Sequence, residues 1–266
     1  MTEALRLTPY KTLEEQVEAL DRDGYVYLPS VLGQDEISVL RESMDRLEAR
    51  QDYFDRNQLP EENGFLNKCI NNTFNRELLF LHFVDHPGII EIEEAVHGPD
   101  CHVIGMTGWL TGPGRPEQGL HVDWKPIALP EDIMADPRVE IPIFITTAHY
   151  YLDDLNEELG PTQFVPGSHR AGHTPDGATQ WQGVAPHSIL CNAGDVVIFR
   201  SEVWHRGTAN RSKKTRYLLQ VHYAKRMITQ KFPPYLNKFQ FDPDILVHAS
   251  PRQRRLLGDH VQSNYD

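Results

Sequence analysis

Long apolar runs are missing from this 266-residue chain. None approaches the roughly 18 residues that mark a membrane span, so no membrane partner is expected. Cysteine is scarce. Cys69, Cys101 and Cys191 are odd in number and scattered, which excludes a disulfide frame and reads as reduced thiols. Positive charge is in deficit, with 26 Lys and Arg against 38 Asp and Glu and a formal net charge of −12. A nucleic-acid binder should carry a basic stripe, so that class is excluded, although a local cationic pocket for an acidic small molecule is not. There is no glycine-rich phosphate loop, no Ser/His or Cys/His arrangement for a hydrolase, no internal repeat and no low-complexity block. The first six residues lack the apolar core of a secretory signal and the last four match no common address, so a cytoplasmic location is expected.

What is present changes character along the chain. The first hundred residues read mostly as helix. Thr12 and Glu15 form a capping-box pattern, Leu13, Val17 and Leu20 share a face, and Gly24 supplies a stop. Tyr25–Pro29 reads as a short strand, and Ile37, Leu40, Met44 and Leu47 recur at helical spacing. The polar stretch 52–64 reads as a loop bordering a pocket, and a third helix is expected over Pro87–His97.

After Pro99 the candidate strands crowd together: Cys101–Leu110, Leu120–Trp124, Ile141–Leu152, Thr162–Val165, Ser188–Cys191, Val196–Phe199 and Arg216–Ala224. They are short, rich in β-branched and aromatic residues, and separated by Gly, Pro, Asn and Asp. Strands without intervening helices point to a sandwich, barrel or jelly roll. The expected organisation is one domain over 1–266. Residues 1–98 form a mostly helical brace, 99–225 the β core and 226–266 an extension with a helix at Pro251–Gly258.

Within that core, His121-Val122-Asp123 would place an imidazole and a carboxylate on one side of a strand. With His205 they would make the two-His-one-carboxylate face of a non-heme Fe(II) site. His205 follows an apolar strand and, taken alone, reads first as a polar cap. Arg216 opens an otherwise apolar strand and is costly to bury without an anion. Its partner is either a dicarboxylate cosubstrate, held as a bidentate pair, or one of the chain's own carboxylates.

His121-x-Asp123, the block Gly160-Pro161-Thr162-Gln163-Phe164-Val165-Pro166-Gly167-Ser168-His169-Arg170, Gly194-Asp195, and His205 with Arg216 together resemble the phytanoyl-CoA dioxygenase family. The resemblance runs from about Tyr25 to Gly258. It implies a mainly β fold with N-terminal helices around a double-stranded β-helix, a cupin-like jelly roll. It also implies an enzyme using Fe(II), 2-oxoglutarate and O2, and a reaction that couples release of succinate and CO2 to oxidation of an unactivated C–H bond.

By position, His121, Asp123 and His205 resemble the iron ligands, and Arg216 the clamp on the distal carboxylate of 2-oxoglutarate. Lys68, Met106 and His149 match the cosubstrate pocket, His149 standing where relatives often have Trp. The family often has Ser two residues after the second His; this chain has Gly207, and Thr208 is the nearest hydroxyl to stand in. Halogenases of this kind replace the carboxylate ligand with a small residue, so Asp123 favours hydroxylation. The expected partner is a small-molecule substrate; no oligomeric state is implied. Three alternatives remain at this stage: an acyl-CoA hydroxylase of the same mechanism, a catalytically silent jelly-roll binding protein, and a cupin-type dioxygenase that ignores 2-oxoglutarate. The loops 52–64, 111–120 and 125–140 are expected to set the substrate.

Overall fold

The computed structural model describes residues 7–49, 64–125, 127–136, 138–232 and 239–261. Most of the expected 52–64 pocket loop lies outside the described residues. Helix α1 (Leu13–Arg22) starts on the capping box, with the Thr12 hydroxyl accepting from the Glu15 amide and the Glu15 carboxylate accepting from the Thr12 amide. Strand β1 (Tyr25–Leu28) follows, then α2 (Gln34–Ala49), which buries the Ile37, Leu40, Met44 and Leu47 stripe. Strand β2 (Asn67–Asn71) was not foreseen. A 3₁₀ segment over Leu78–Phe83 leads to α3 (Ile90–His97). The expected start at Pro87 fails because Gly88 adopts φ of +79°, outside the helical region.

The remaining strands are β3 (His102–Thr111), β4 (Ile145–Tyr151), β5 (Thr162–Phe164), β6 (His187–Ser188), β7 (Val196–Arg200), β8 (His205–Gly207) and β9 (Arg216–Ala224). A short helix, α4 (Glu131–Ala135), precedes β4, and α5 (Pro243–His248) and α6 (Pro251–Leu256) close the chain. Helix α6 stops two residues short of the expected end, before Gly258 at φ of +116°. The expected strand Leu120–Trp124 is a single bridge, His121 to His205.

Six strands form one antiparallel sheet in the order β1-β7-β4-β9-β3-β2, and three form a second in the order β6-β5-β8. The two sheets make the jelly roll of a double-stranded β-helix. Both β1 and β2, from the N-terminal hundred residues, are built into the larger sheet.

Side-chain alternation gives that sheet two distinct faces. Leu219, Val221 and Tyr223 of β9 join Ala148 and Tyr150 of β4 in the large core shared with Leu40, Met44 and Ile90 of the helices. Arg216, Leu218, Gln220 and His222 therefore point the other way, into the roll, where Leu218 packs with Phe164, Phe199 and Tyr151. Cys69, Cys101 and Cys191 are buried and form no disulfide. No helix among the described residues is long and apolar enough to cross a membrane.

Candidate active site

One backbone seam positions the candidate residues. The segment 114–124 runs against 201–210, with Gly114 N bonded to Asn210 O, Asn210 N to Arg115 O, and Gln118 N to Gly207 O. His121 and His205 exchange both backbone hydrogen bonds at 2.9 Å, and Ser201 O accepts from both Asp123 N and Trp124 N. His121 and His205 are thus a paired rung, and Asp123 is set by the chain's turn onto Ser201.

The three side chains converge. Their ligand atoms lie within 4.8 Å of one another, with His205 Nε2 at 3.5 Å from Asp123 Oδ1 and the two imidazole rings 4.4 Å apart. His121 Nδ1 donates to Gly119 O at 3.0 Å and His205 Nδ1 to Val203 O at 2.8 Å. Those bonds fix both tautomers and leave both Nε2 lone pairs facing the shared space. Burial would raise the Asp123 carboxyl, but the charge and hydrogen bond of His205 hold it well below the usual carboxylate range. His205 is moved upward in turn: burial opposes its charge and Asp123 overrides burial. His121 is moved down by burial and by His205. Thr147 sits behind Asp123, bonded to His222 Nδ1 at 3.0 Å and 3.3 Å from the Ser201 hydroxyl. Once His205 gives up the proton it shares with Asp123, two imidazoles and one carboxylate, open on one side, suit a divalent metal.

Along the same seam lies a cationic end. Arg216 is buried, donates to Gly160 O through Nη1, and leaves Nε buried with no hydrogen-bond partner among the described residues. Beside it is Arg115, also buried, donating to Gly207 O at 3.2 Å. Burial and the neighbouring Arg216 push the Arg115 guanidinium down to about 10. Neither arginine forms an ion pair with a carboxylate among the described residues; Asp153, the acid nearest in charge to Arg216, is bonded to Arg41 and to Tyr217 N. Two adjacent buried cations without a counter-charge are costly, and an anion would relieve both.

Arg115 was missed in the sequence, where it is one arginine in the turn-rich run Gly112-Pro113-Gly114-Arg115-Pro116. The signal that could have found it is Gly207. A side chain there would meet Gln118 Oε1 at 2.9 Å and Arg115 Nη1 at 3.2 Å, so these two groups fill the place beside Gly207. Thr208, expected to stand in, donates its hydroxyl proton to Pro161 O at 2.7 Å.

The other sequence candidates divide by sheet face. His149 lies inside the roll, its Nε2 accepting from Gln220 Nε2 at 2.6 Å, while Gln220 Oε1 accepts from Trp109. Met106 and Lys68 are corrected. Met106 pairs with Val221 and is part of the helix-facing core; Lys68 pairs with Leu110, which belongs to the same core. Both therefore point away from the interior that holds Arg216. His169 is structural, its Nε2 donating to Asp21 O at 2.9 Å and so tying the Pro-Gly-Ser-His-Arg turn to α1.

The family described as Phytanoyl-CoA dioxygenase (PhyH) matches residues 20–218, the span that carries both ends of this seam. The chain belongs to that family. Among curated relatives, a protein named Dioxygenase aneA from Aspergillus aculeatus is 31% identical over 163 residues, covering 59% of this chain and 48% of its own. Dioxygenase ALT11 from Alternaria alternata is 24% identical over 98% of this chain and 86% of its own. The chain spans about half the length of the first of these and of Dioxygenase hkm4 from Aspergillus hancockii, at 48% and 44%.

Solved structures share the fold. The epimerase SnoN in complex with Fe3+, alpha ketoglutarate and nogalamycin RO superposes with a TM-score of 0.64 at 21% identity, covering 80% of this chain and 83% of its own. HygX from Streptomyces hygroscopicus, with nickel and 2-oxoglutarate bound, does so at 0.62 and 16%, covering 84% and 90%.

Proposed function

We propose that this protein is an Fe(II)- and 2-oxoglutarate-dependent dioxygenase that hydroxylates a C–H bond of a small organic molecule. One observation carries the reading: an open two-His-one-carboxylate set shares a backbone seam with Arg115, and Arg115 lies beside Arg216 of β9, both buried and neither ion-paired to a carboxylate among the described residues. His121, Asp123 and His205 would hold the iron, and Arg216 with Arg115 would take the distal carboxylate of the cosubstrate. Family membership and the metal- and 2-oxoglutarate-bound structures of the same fold support this reading. When bound, the metal and cosubstrate supply the reaction with O2, which no side chain can perform, and release succinate and CO2.

The chain's own residues supply geometry. The Nδ1–carbonyl bonds of His121 and His205 hold the rings in the donor tautomer, so metal binding requires no ring flip. Asp123 contributes the negative charge that offsets the metal's, and Thr147 and Ser201 crowd its far side. Phe164 and Phe199 lie against the His205 ring at 5.8 and 5.0 Å and exclude water from that wall. In the segment that follows Asp123 in the chain, Trp124, Ile127, Leu129 and Ile133 are exposed. Exposed apolar side chains so near the ligands in sequence favour a substrate with a hydrocarbon surface.

Arg206, next to His205 in the chain, is paired with Glu117 at 2.6 Å and so is not left to meet an anionic substrate. That weakens the acyl-CoA alternative. The incorporation of β1 and β2 into the same sheet as β9 supports reading the chain as one oxygenase domain.

Anaerobic addition of Fe(II) and then 2-oxoglutarate to metal-free protein tests the proposal. A visible metal-to-ligand charge-transfer band should appear only with both present. Binding of either alone without the band would point to the 2-oxoglutarate-independent alternative, and binding of neither to a silent scaffold. A candidate-metabolite screen for succinate release then finds the substrate, and product analysis distinguishes hydroxylation from epimerisation or ring closure.

A further inference from the structure

On the opposite face of the six-stranded sheet from the catalytic interior, a second group of ligand atoms converges. Glu36 of α2, His82 of the 3₁₀ segment and His86 just beyond it place donor atoms within 4.8 Å of one another. His82 Nε2 lies 3.4 Å and His86 Nε2 3.9 Å from the same oxygen, Oε1 of Glu36. Both separations exceed the roughly 2.7–3.2 Å of a hydrogen bond. They approach the edge of a tetrahedron built on bonds of about 2.0–2.1 Å, which is about 3.3 Å. The catalytic triad has the same spacing between His205 and Asp123, at 3.5 Å.

The remaining atoms of the group are engaged so as to leave the donors free. His86 Nδ1 donates to Pro87 O at 2.7 Å, which fixes its proton there and turns an Nε2 lone pair toward Glu36. The other Glu36 oxygen accepts from Gly33 N at 2.9 Å, which sets the direction of Oε1. The His82 ring stands edge-on to Phe83 and His86 at 5.2 and 4.9 Å. A nitrogen lone pair facing a carboxylate oxygen is repulsive until a cation lies between them. His86 is poorly suited to be that cation, because burial lowers its basicity. Protonated His82 could screen the pair, but a metal ion would satisfy all three donors at once.

We propose that Glu36, His82 and His86 form a second metal site, for a divalent ion of the zinc type, that clips α2 to the 3₁₀ segment. Two imidazoles and a carboxylate with an open fourth position are a zinc donor set. On such donors zinc outcompetes Fe(II), which separates this site from a second iron centre. At the other end of the same junction Glu77 accepts from Ser43 and Arg46 of α2, so the ion would secure the end that lacks such an ionic tie.

Metal-stripped protein is dialysed against Zn2+ and the bound metal counted by mass spectrometry. The parent chain should hold two ions, His205→Ala one, His82→Ala one and the double variant none. Because the His205→Ala count reports the second site alone, it is independent of the oxygenase reading. Zinc at about a hundredfold excess over its Kd should raise the Tm of His205→Ala by about 5 °C, and the rise should vanish when His82→Ala is added. The His82 side chain is half exposed, so its truncation should leave the fold and the 2-oxoglutarate chemistry intact. Glu36→Gln should weaken zinc binding at least tenfold. A His82→Ala chain that holds as much zinc as its parent, or a His205→Ala chain that holds none, overturns the site.

Discussion

Replacing Arg115 by Met should stabilise the protein while weakening its hold on 2-oxoglutarate. Burial and Arg216 lower the Arg115 guanidinium from 12.5 to about 10. At about 1.4 kcal/mol per unit this is a penalty on the order of 3 kcal/mol against the charged form. Because the folded group titrates below its unfolded counterpart, the whole penalty is present at neutral pH and shrinks only as pH climbs toward and past about 10. Met removes the charge and fills much of the volume. The loss of the bond to Gly207 O at 3.2 Å offsets about 1 kcal/mol of the gain.

A net gain of about 1–2 kcal/mol corresponds to a Tm rise of about 2–4 °C for a chain of this size. The distal carboxylate, however, loses a charge-assisted hydrogen bond of about 1.5–3 kcal/mol, so the Kd for 2-oxoglutarate should rise about 10- to 150-fold. Calorimetric titration and thermal melts on metal-free protein measure both. If Arg115→Met lowers the Tm and leaves the Kd unchanged, the arginine pair is a structural device and not an anion site.

Other perturbations read different parts of the architecture. Asp123→Ala should weaken Fe(II) binding at least a hundredfold and reduce substrate-coupled succinate formation to background; retained coupled turnover removes Asp123 from the ligand set. His205 carries a raised pKa in the metal-free protein, so the stability its proton contributes is whole below about pH 6.5 and is lost as pH rises through the folded value. Metal must displace that proton, so Fe(II) affinity should climb as pH rises between about 5.5 and 8; a flat titration would contradict the His205–Asp123 pairing. Gly24→Ala should cost about 2–4 kcal/mol, seen as a fall in Tm, because φ is +84° and the added carbon would meet Val203 at 2.5 Å and His169 at 2.6 Å.

The strand Arg216–Ala224 was legible in the sequence to the residue, because Tyr217, Leu218, Leu219, Val221 and Tyr223 put large apolar side chains on both faces of one short segment, as a strand covered on both sides requires. The helix stripes of α1 and α2 were legible for the same kind of reason. His121 and Asp123 were set side by side in the sequence on strand alternation, whereas the structure brings them together through one bridge and a turn onto Ser201. Met106 illustrates what periodicity cannot carry. Val103 faces the helical core, and strict alternation would turn Met106 inward; the register shift between Val103 and Gly105 reverses the parity and buries it with Val221. Arg115 was hard to read because a loop has no period, and Gly207, whose missing side chain makes room for it, lies about a hundred residues away in the chain, as does Arg216.

The placement of β1 bears on how the molecule is made. Tyr25–Leu28 occupies the sheet edge beside β7, pairing with residues 196–199, and the backbone of Gly24 accepts from Arg200 N. Asp23 O accepts from Gly167 N, and the Gly24 backbone lies against Val203, two residues before His205. A ribosome must therefore deliver some 170 further residues before the first strand finds its neighbour, and the loop leading to His205 is seated only then. Closing so long a loop is slow and comes late in folding. Acquisition of metal by the triad would thus lag behind secondary structure in a refolding experiment and report completion of the native topology.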